Sequence, residues 1–361
     1  MTAARRTFVI AEAGVNHGGS VDVARALIDA AAEAGADAVK FQTFTATRLA
    51  SRMAHKAQYQ VARTGAAGGQ VEMLEALELS RDAHHTLAAH ARDAGLEFMS
   101  SAFDQESLDF LVREVGVRRI KIPSGEITNA GYLLHAAGYA RPVLLSTGMS
   151  TLEEVQVALG ALAYGFAPHA DAPSPSSFAH AAASADGRGA LERLVTLLHC
   201  TSEYPAPIEH ANLRAMNTLE AACRLPVGYS DHTPGISVAI AAVARGAVVV
   251  EKHLTLSRDM SGPDHAASLE PPEFGAMVSA IREVEQALGS PAKEPTAGEL
   301  ANRTVARRSL VAARPVAKGE CFTAENLVAK RPGSGISPLH YWEWLGRPAA
   351  RDYAEDEVID G

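Results

Sequence analysis

One alternation restricts the fold of this chain more than any other feature. Eight short apolar runs, rich in β-branched residues, are separated by alanine-rich segments of helical period. The runs are "FVIAEAG" (Phe8–Gly14), "AVKFQTF" (Ala38–Phe44), "EFMSSAF" (Glu97–Phe103), "RIKIPSG" (Arg119–Gly125), "VLLSTGM" (Val143–Met149), "LVTLLHCT" (Leu194–Thr201), "VGYSDH" (Val227–His232) and "VVVEKHLT" (Val248–Thr255). Near-continuous apolar runs of this length suit strands buried on both faces. Between them, Val21–Ala34, Arg81–Ala94, Leu152–Ala163, Asn212–Ala222 and Ile236–Arg245 place apolar residues at helical spacing. Ser80 before "RDAH" and Ser150/Thr151 before "LEEV" are candidate N-caps. Eight strand–helix repeats within about 255 residues predict a (β/α)8 TIM barrel. A doubly wound sheet is the alternative, and it fits this length and count less well.

The barrel domain is expected over residues 1–290, closed by a helix at Pro272–Leu288. Residues 165–190 are rich in Ala, Ser, Pro and Gly and read as a flexible insertion on the barrel's N-terminal side, remote from chemistry. Residues 291–306 read as a linker, and residues 307–361 as a small second domain. Within it, "VAKGECFTAENL" suggests a strand, a turn and a helix start. About 55 residues are marginal for independent stability, so this module is expected to lean on the barrel or on a second subunit.

Bulk properties exclude several functions. The formal net charge is −9 with no basic stripe, which argues against a nucleic-acid partner. No apolar run approaches the ~20 residues needed to span a bilayer. The N-terminal "MTAARRTFVIAEAG" starts basic, but its apolar run breaks at Glu12, so it reads as a first strand and not a signal peptide. Cys200, Cys223 and Cys321 are odd in number and lack C-x-x-C spacing, which points to reduced thiols and a cytoplasmic setting.

Polar residues stand in or just after almost every strand. Glu12 lies in the first, followed by Asn16 and His17; Lys40 and Gln42 lie in the second; Ser100 and Ser101 in the third; Lys121, Ser124 and Glu126 in or after the fourth. Ser146 and Thr147 end the fifth, Thr201, Ser202 and Tyr204 follow the sixth, and Ser230, Asp231 and His232 end the seventh. Glu251, Lys252 and His253 end the eighth. The C-terminal edge of a parallel sheet is where α/β proteins build active sites. Two histidines emerging there with an open side suit a divalent metal. Two lysines within apolar strands, with several hydroxyls nearby, suit a phosphate or carboxylate. Glu12 and Glu126 then serve as hydroxyl anchors or proton-transfer groups. Simpler readings stand beside these. Lys40 and Lys121 can pair with Glu12 and Glu126 as structural ion pairs, and the serines can cap helices. His232 can be a turn residue before "TPG" and His253 a core histidine. Asp231 either orients His232 or caps the next helix. Glu251 and Lys252 alternate along a strand, so one of them faces the helices. His84, His85, His90, His169 and His180 lie on helices or in the insertion and read as surface residues.

The stretches "IAEAGVNHGG", "ADAVKFQTF", "IKIPSGEI", "LLSTGM", "LHCTSEYPAP", "GYSDHT", "EKHLT" and "GPDHAASLEP" resemble the sialic acid (N-acetylneuraminate) synthases and their nonulosonic-acid relatives. "VAKGECFTAENLVAKRPGSGI" resembles the C-terminal SAF domain of that family, also called antifreeze-like, a β-clip fold. The resemblance implies condensation of phosphoenolpyruvate with an N-acetylated hexosamine and water, releasing phosphate. It also implies a divalent metal, Mn2+ or Mg2+, held by His232 and His253. Carried over by position, Lys40, Ser101, Lys121, Ser124, Ser146 and Ser230 contact phosphoenolpyruvate. Glu12, Glu126, Lys40 and Lys121 are the catalytic set. Gln42, Tyr204, Asp264 and Arg331 bind the sugar, with Gln42 holding a metal-bound water or the nearby substrate. Arg331 in "KRPGSG" is expected to reach a partner's site in a domain-swapped homodimer. Ser202–Glu203 and Ser101 depart from strict N-acetylneuraminate synthases, and "CTSEYPAP" is closer to the legionaminic branch, whose sugar is a 2,4-diacetamido-2,4,6-trideoxymannose. "GPDHAASLEP" does not resemble the pseudaminic branch. N-acetylmannosamine and the diacetamido sugar both stay open as acceptor. The alternatives are another phosphoenolpyruvate-dependent 3-deoxy-sugar-acid synthase, which the SAF module disfavours, and a Schiff-base aldolase using Lys40 or Lys121. A non-catalytic sugar-binding scaffold is a third, and the strand-end lysines, glutamates and histidines disfavour it.

Overall fold

A computed structural model describes residues 6–58, 60–61, 65, 69–168 and 171–360. His169 lies outside the described residues. The chain forms two compact units that divide after Gly289.

The first unit is a closed parallel barrel of eight strands in sequence order. They are β1 (Phe8–Gly14), β2 (Ala38–Thr43), β3 (Glu97–Ala102), β4 (Ile120–Ile122), β5 (Val143–Ser146), β6 (Val195–Cys200), β7 (Val227–Asp231) and β8 (Val249–His253). β8 pairs back onto β1, which closes the ring. Helices follow most of the strands, with caps where serine and threonine predict them. Ser80 accepts from the Ala83 N–H, and Thr151 forms a capping box with Glu154.

The strand period of two sorts side chains into layers. Ile10, Ala38, Met99, Leu144, Leu198 and Val249 form one apolar cluster inside the barrel. Two residues further along each strand come Glu12, Lys40, Ser101, Ser146, Cys200 and Glu251, all of which line a cavity at the C-terminal ends. Residues of opposite parity, such as Val39, Phe41, Leu145, Tyr229 and Val250, join the larger core against the helices. Gly228 takes its place in the inner apolar layer, where a Cβ would come within 2.6 Å of the Val249 carbonyl and 2.7 Å of Leu198. Gly228→Ala is therefore expected to destabilise the barrel by about 1–3 kcal/mol through overpacking. Urea unfolding checks this; an unchanged midpoint would mean the layer has slack.

Local structure differs from expectation at four places. Within residues 165–190, where irregular chain is expected, Pro175–Ala183 is a helix and Ala185–Leu194 begins a second. Ser174 caps the first with Pro175 at its start, and Ser184 caps the second. Phe178 packs edge-on against Tyr164 with ring centroids 5.4 Å apart. Serine and proline there are helix-start signals, and alanine is the best helix former. The expected linker is helical over Ala297–Ala306, where Thr296 and Glu299 make a capping box. His84 is buried, not at the surface, and bridges the Ser80 carbonyl (2.9 Å) and the Thr43 hydroxyl (2.8 Å). His85 and His180 are exposed, and His90 bonds Asp29 at 2.7 Å.

In the second unit, β9 (Ser309–Ala312) pairs antiparallel with β10 (Leu327–Lys330) over a core of Leu310, Val316, Phe322, Leu327, Tyr353 and Ile359. "AENL" leads into β10 through a turn in which the Asn326 side chain accepts from the Thr323 N–H (2.7 Å), not into a helix. No helix among the described residues is long and apolar enough to cross a membrane.

Candidate active site

The cavity at the C-terminal mouth of the barrel has a volume of about 500 Å³. Its floor is a buried cluster of four charged groups. Lys40 Nζ lies 2.7 Å from Glu12 and 3.6 Å from Glu251, and Lys121 Nζ lies 3.0 Å from Glu251. All four side chains are at most 5% exposed. Register explains the meeting: Glu12 pairs with Lys40 across β1–β2, and Ser230 pairs with Glu251 across β7–β8.

Burial acts on these groups unequally. It pushes the Glu12 carboxyl up to about 7, with Lys40 opposing. Burial also acts to raise Glu251, but Lys121 and Lys40 together outweigh it and hold that carboxyl well below the ordinary range. Burial pulls Lys121 down further than Glu251 restores it. For Lys40 the two carboxylates more than offset burial. Near neutral pH the floor therefore holds two lysines against one firm carboxylate and one that is partly protonated. With Glu12 only partly ionised, the floor holds less negative charge than two full carboxylates would give it, and so favours an anion.

Hydroxyls ring this floor. Lys40 Nζ donates to Ser101 Oγ (3.0 Å), and Ser230 Oγ donates to Glu251 (2.9 Å). Ser124 Oγ accepts from the Gly148 N–H (3.0 Å), and Ser146 Oγ is buried with no partner among the described residues. At one side stand the imidazoles of His232 and His253, with centroids 5.4 Å apart. His232 Nδ1 lies 2.6 Å from the Thr201 carbonyl, which can only accept, so Nδ1 carries the proton and Nε2 keeps its lone pair. His253 Nδ1 is buried without a partner among the described residues. Burial pushes His232 down to about 4 and lowers His253 strongly, the latter reinforced by His232. Both rings are thus neutral at pH 7, the form that ligates metals. No cluster of three or more His, Cys, Asp or Glu suited to a metal occurs among the described residues. Two neutral imidazoles with an unpartnered buried nitrogen fit a divalent ion whose other positions are open to water and substrate.

Tyr204 lies against His232 with ring centroids 4.3 Å apart and planes tilted by 36°, and meets His253 edge-on at 5.7 Å. Gln42 and Asp264 also line the cavity, and burial pushes the Asp264 carboxyl up to about 6, with Lys40 opposing. Val15, Leu49, Leu74, Leu77 and Phe103, members of one apolar cluster, make an apolar wall of the cavity. Gly14 closes β1 at φ +53°, where a Cβ would lie 3.3 Å from Glu12 and 3.6 Å from His253. A side chain would both strain that turn and crowd the site.

One sequence-selected residue falls outside the cavity lining. Glu126 lies in the turn after β4, but it accepts from Asn129 Nδ2 (2.7 Å) and is not part of the cavity lining. Lys121 therefore pairs with Glu251 and not with Glu126. Arg331 is an exposed residue of the second unit. Glu251, central to the floor, is absent from the sequence-based set. Its signal is the two-residue step to His253, which places both side chains on the same face of β8.

A closed barrel with a buried lysine–glutamate floor beside two neutral imidazoles defines a polar, anion-attracting site of the α/β-barrel enzyme type. The NeuB family profile matches residues 27–293, and the SAF domain profile matches residues 307–361. The chain belongs to the NeuB family and carries a C-terminal SAF domain. It is 45% identical to an N,N'-diacetyllegionaminic acid synthase of Campylobacter jejuni, over 98% of this chain and 99% of that one. It is 46% identical to the Legionella pneumophila protein of the same name, over 92% and 87%. Among solved structures, the N-acetylneuraminic acid synthetase of Leptospira borgpetersenii superposes with a TM-score of 0.67 at 31% identity, over 83% and 90%.

Proposed function

We propose that this protein is a nonulosonic acid synthase that joins phosphoenolpyruvate to a 2,4-diacetamido-2,4,6-trideoxy hexose and releases phosphate. The observation that carries the reading is the floor: two buried lysines, incompletely neutralised, beside a pair of neutral imidazoles. Lys40 and Lys121, with Ser101, Ser124, Ser146 and Ser230, hold the carboxylate and phosphate of phosphoenolpyruvate. His232 and His253 would hold Mn2+ or Mg2+, which supplies Lewis-acid polarisation of the sugar's aldehyde oxygen. Gln42, Tyr204 and Asp264 orient the open-chain sugar so that its aldehyde carbon faces C3 of phosphoenolpyruvate. The new C–C bond turns the aldehyde oxygen into an alkoxide, which ends as a hydroxyl with a proton supplied by the added water, and leaves an electron-poor C2, to which the water oxygen adds. Glu12, poised near neutrality, takes the proton from that water oxygen. Phosphate then departs with its bridging oxygen. On the family resemblance, Arg331 of a second copy binds the sugar's N-acetyl group in a homodimer. Three unpaired cysteines support a cytoplasmic setting.

The apolar wall favours the deoxy sugar over a phosphorylated one. The lysines among the described lining residues, Lys40 and Lys121, are both engaged at the floor, and the described lining offers no further lysine or arginine to a 6-phosphate. The test is phosphate release with phosphoenolpyruvate against N-acetylmannosamine, its 6-phosphate and the diacetamido sugar. The diacetamido sugar is expected to give the highest kcat/KM, by roughly ten-fold or more. Equal or better turnover of the 6-phosphate would overturn the sugar assignment. Borohydride trapping of a pyruvate adduct, with no phosphate release, would replace the whole reading with a Schiff-base aldolase.

A further inference from the structure

We propose that Asp231 and Lys252 form a positioning clamp that sets the spacing and orientation of the two imidazoles from the helix-facing side of the sheet. The proposal rests on the reading of His232 and His253 as a metal pair. On β7, Ser230 and His232 point into the barrel, so Asp231 points out; on β8, Glu251 and His253 point in, so Lys252 points out. Asp231 and Lys252 are direct neighbours across the β7–β8 ladder. Their charged groups meet at 2.8 Å, and both side chains are 0% exposed. Neither lines the cavity.

The bonds of this pair enclose His232. Lys252 Nζ donates to Asp231 Oδ2 and also to the Thr233 carbonyl. Asp231 Oδ1 accepts from the Thr233 N–H (2.9 Å) and the Thr233 hydroxyl (2.8 Å). The residues on either side of His232 are thus bound to each other and to β8. His253 is the residue after Lys252, and its own Nδ1 has no partner among the described residues to orient the ring. Its placement therefore depends on the Tyr204 and His232 rings beside it and on a backbone held by the clamp, by the Leu254 N–H to Glu12 carbonyl bond (2.8 Å) and by the Leu269 N–H to His253 carbonyl bond (2.9 Å). A buried ion pair is a poor source of net stability, because desolvation cancels most of its attraction and an apolar pair of similar volume does as well or better. What an ion pair adds here is directional geometry at the two ligand-bearing strand ends.

The test is the Asp231→Asn/Lys252→Met double variant, which leaves no unpaired buried charge. Three readouts are taken on the full chain: thermal unfolding, Mn2+ affinity by titration, and the imidazole NMR signals of His232 and His253 without metal. The expected result is a folded protein that binds Mn2+ about 10-fold or more weakly, with both imidazole signals displaced. Unmoved signals together with unchanged Mn2+ affinity would overturn the clamp. Should the double variant fail to fold, Thr233→Val decides. It removes one hydroxyl donor while keeping the ion pair, and is expected to weaken Mn2+ several-fold at an unchanged melting temperature; no weakening overturns the proposal. Failure of the underlying metal reading has a separate signature. His232→Ala and His253→Ala would then bind Mn2+ as tightly as the unaltered protein, and the imidazole signals alone would judge the clamp.

Discussion

His253→Ala is expected to lower kcat/KM by about a thousand-fold or more and to remove Mn2+ binding while leaving the fold intact. Loss of Lewis-acid assistance costs several kcal/mol of transition-state stabilisation, and each ~1.4 kcal/mol is ten-fold in rate. The fold should tolerate the change because His253 Nδ1 makes no hydrogen bond among the described residues that the substitution would break. Metal titration and steady-state phosphate release check the two halves. The unaltered protein should also melt higher in excess Mn2+, by linkage, and the variant should not. A variant that keeps both turnover and metal binding would remove the imidazole pair from the mechanism.

Lys40→Met is expected to fail in a different way, through stability as well as turnover. Lys40 contacts both Glu12 and Glu251. Its removal leaves two buried carboxylates facing Lys121 alone, and breaking a buried pair in this manner costs about 3–5 kcal/mol. Phosphoenolpyruvate binding also loses a cation, a further 2–5 kcal/mol in affinity by the usual cost of truncating a buried charged contact, or about 30-fold to several-thousand-fold. The sign of the pH dependence is set by Glu12. Its carboxyl, ordinarily near 4.5, stands at about 7 even with Lys40 beside it. Without Lys40 it climbs further, so the folded variant keeps this carboxyl protonated to higher pH than the unaltered protein does, while the unfolded chain ionises above about 4.5; the extra cost therefore appears as pH passes about 7. The stability deficit of Lys40→Met should therefore be larger at about pH 8 than at about pH 5.5. The Lys40→Met/Glu12→Gln double variant should recover much of the lost stability but not the activity. Denaturant unfolding of both variants at the two pH values is the measurement; a pH-independent deficit with no rescue would mean that Glu12 is not the strained partner.

Much of the site is legible in the chain alone. Lys40, Ser101, Lys121, Ser146, Ser230, His232 and His253 stand out at strand ends, because a charge or hydroxyl that interrupts an apolar run is costly to bury unless a partner or ligand meets it. His84 is not legible, because a histidine on an amphipathic helix gives no local sign that its ring reaches a threonine on a neighbouring strand. Residues 175–194 mislead because serine and proline signal a helix start as readily as a loop. Glu251 is half-legible. Alternation says that Glu251 and Lys252 face opposite ways, and the histidine two residues on says which faces in.

By itself, the sequence determined the strand–helix alternation, the barrel it implies and the end at which the chemistry gathers, since these follow from periods of two and 3.6 written along the chain. Only the tertiary structure decided who pairs with whom. Lys121 is met by Glu251, 130 positions away, and not by the nearby Glu126. Lys252 is met by Asp231 on the far side of the same two strands. Both pairings arise from the closure of the ring and the register of its ladders, which bring distant residues to bonding distance and which no local spacing encodes.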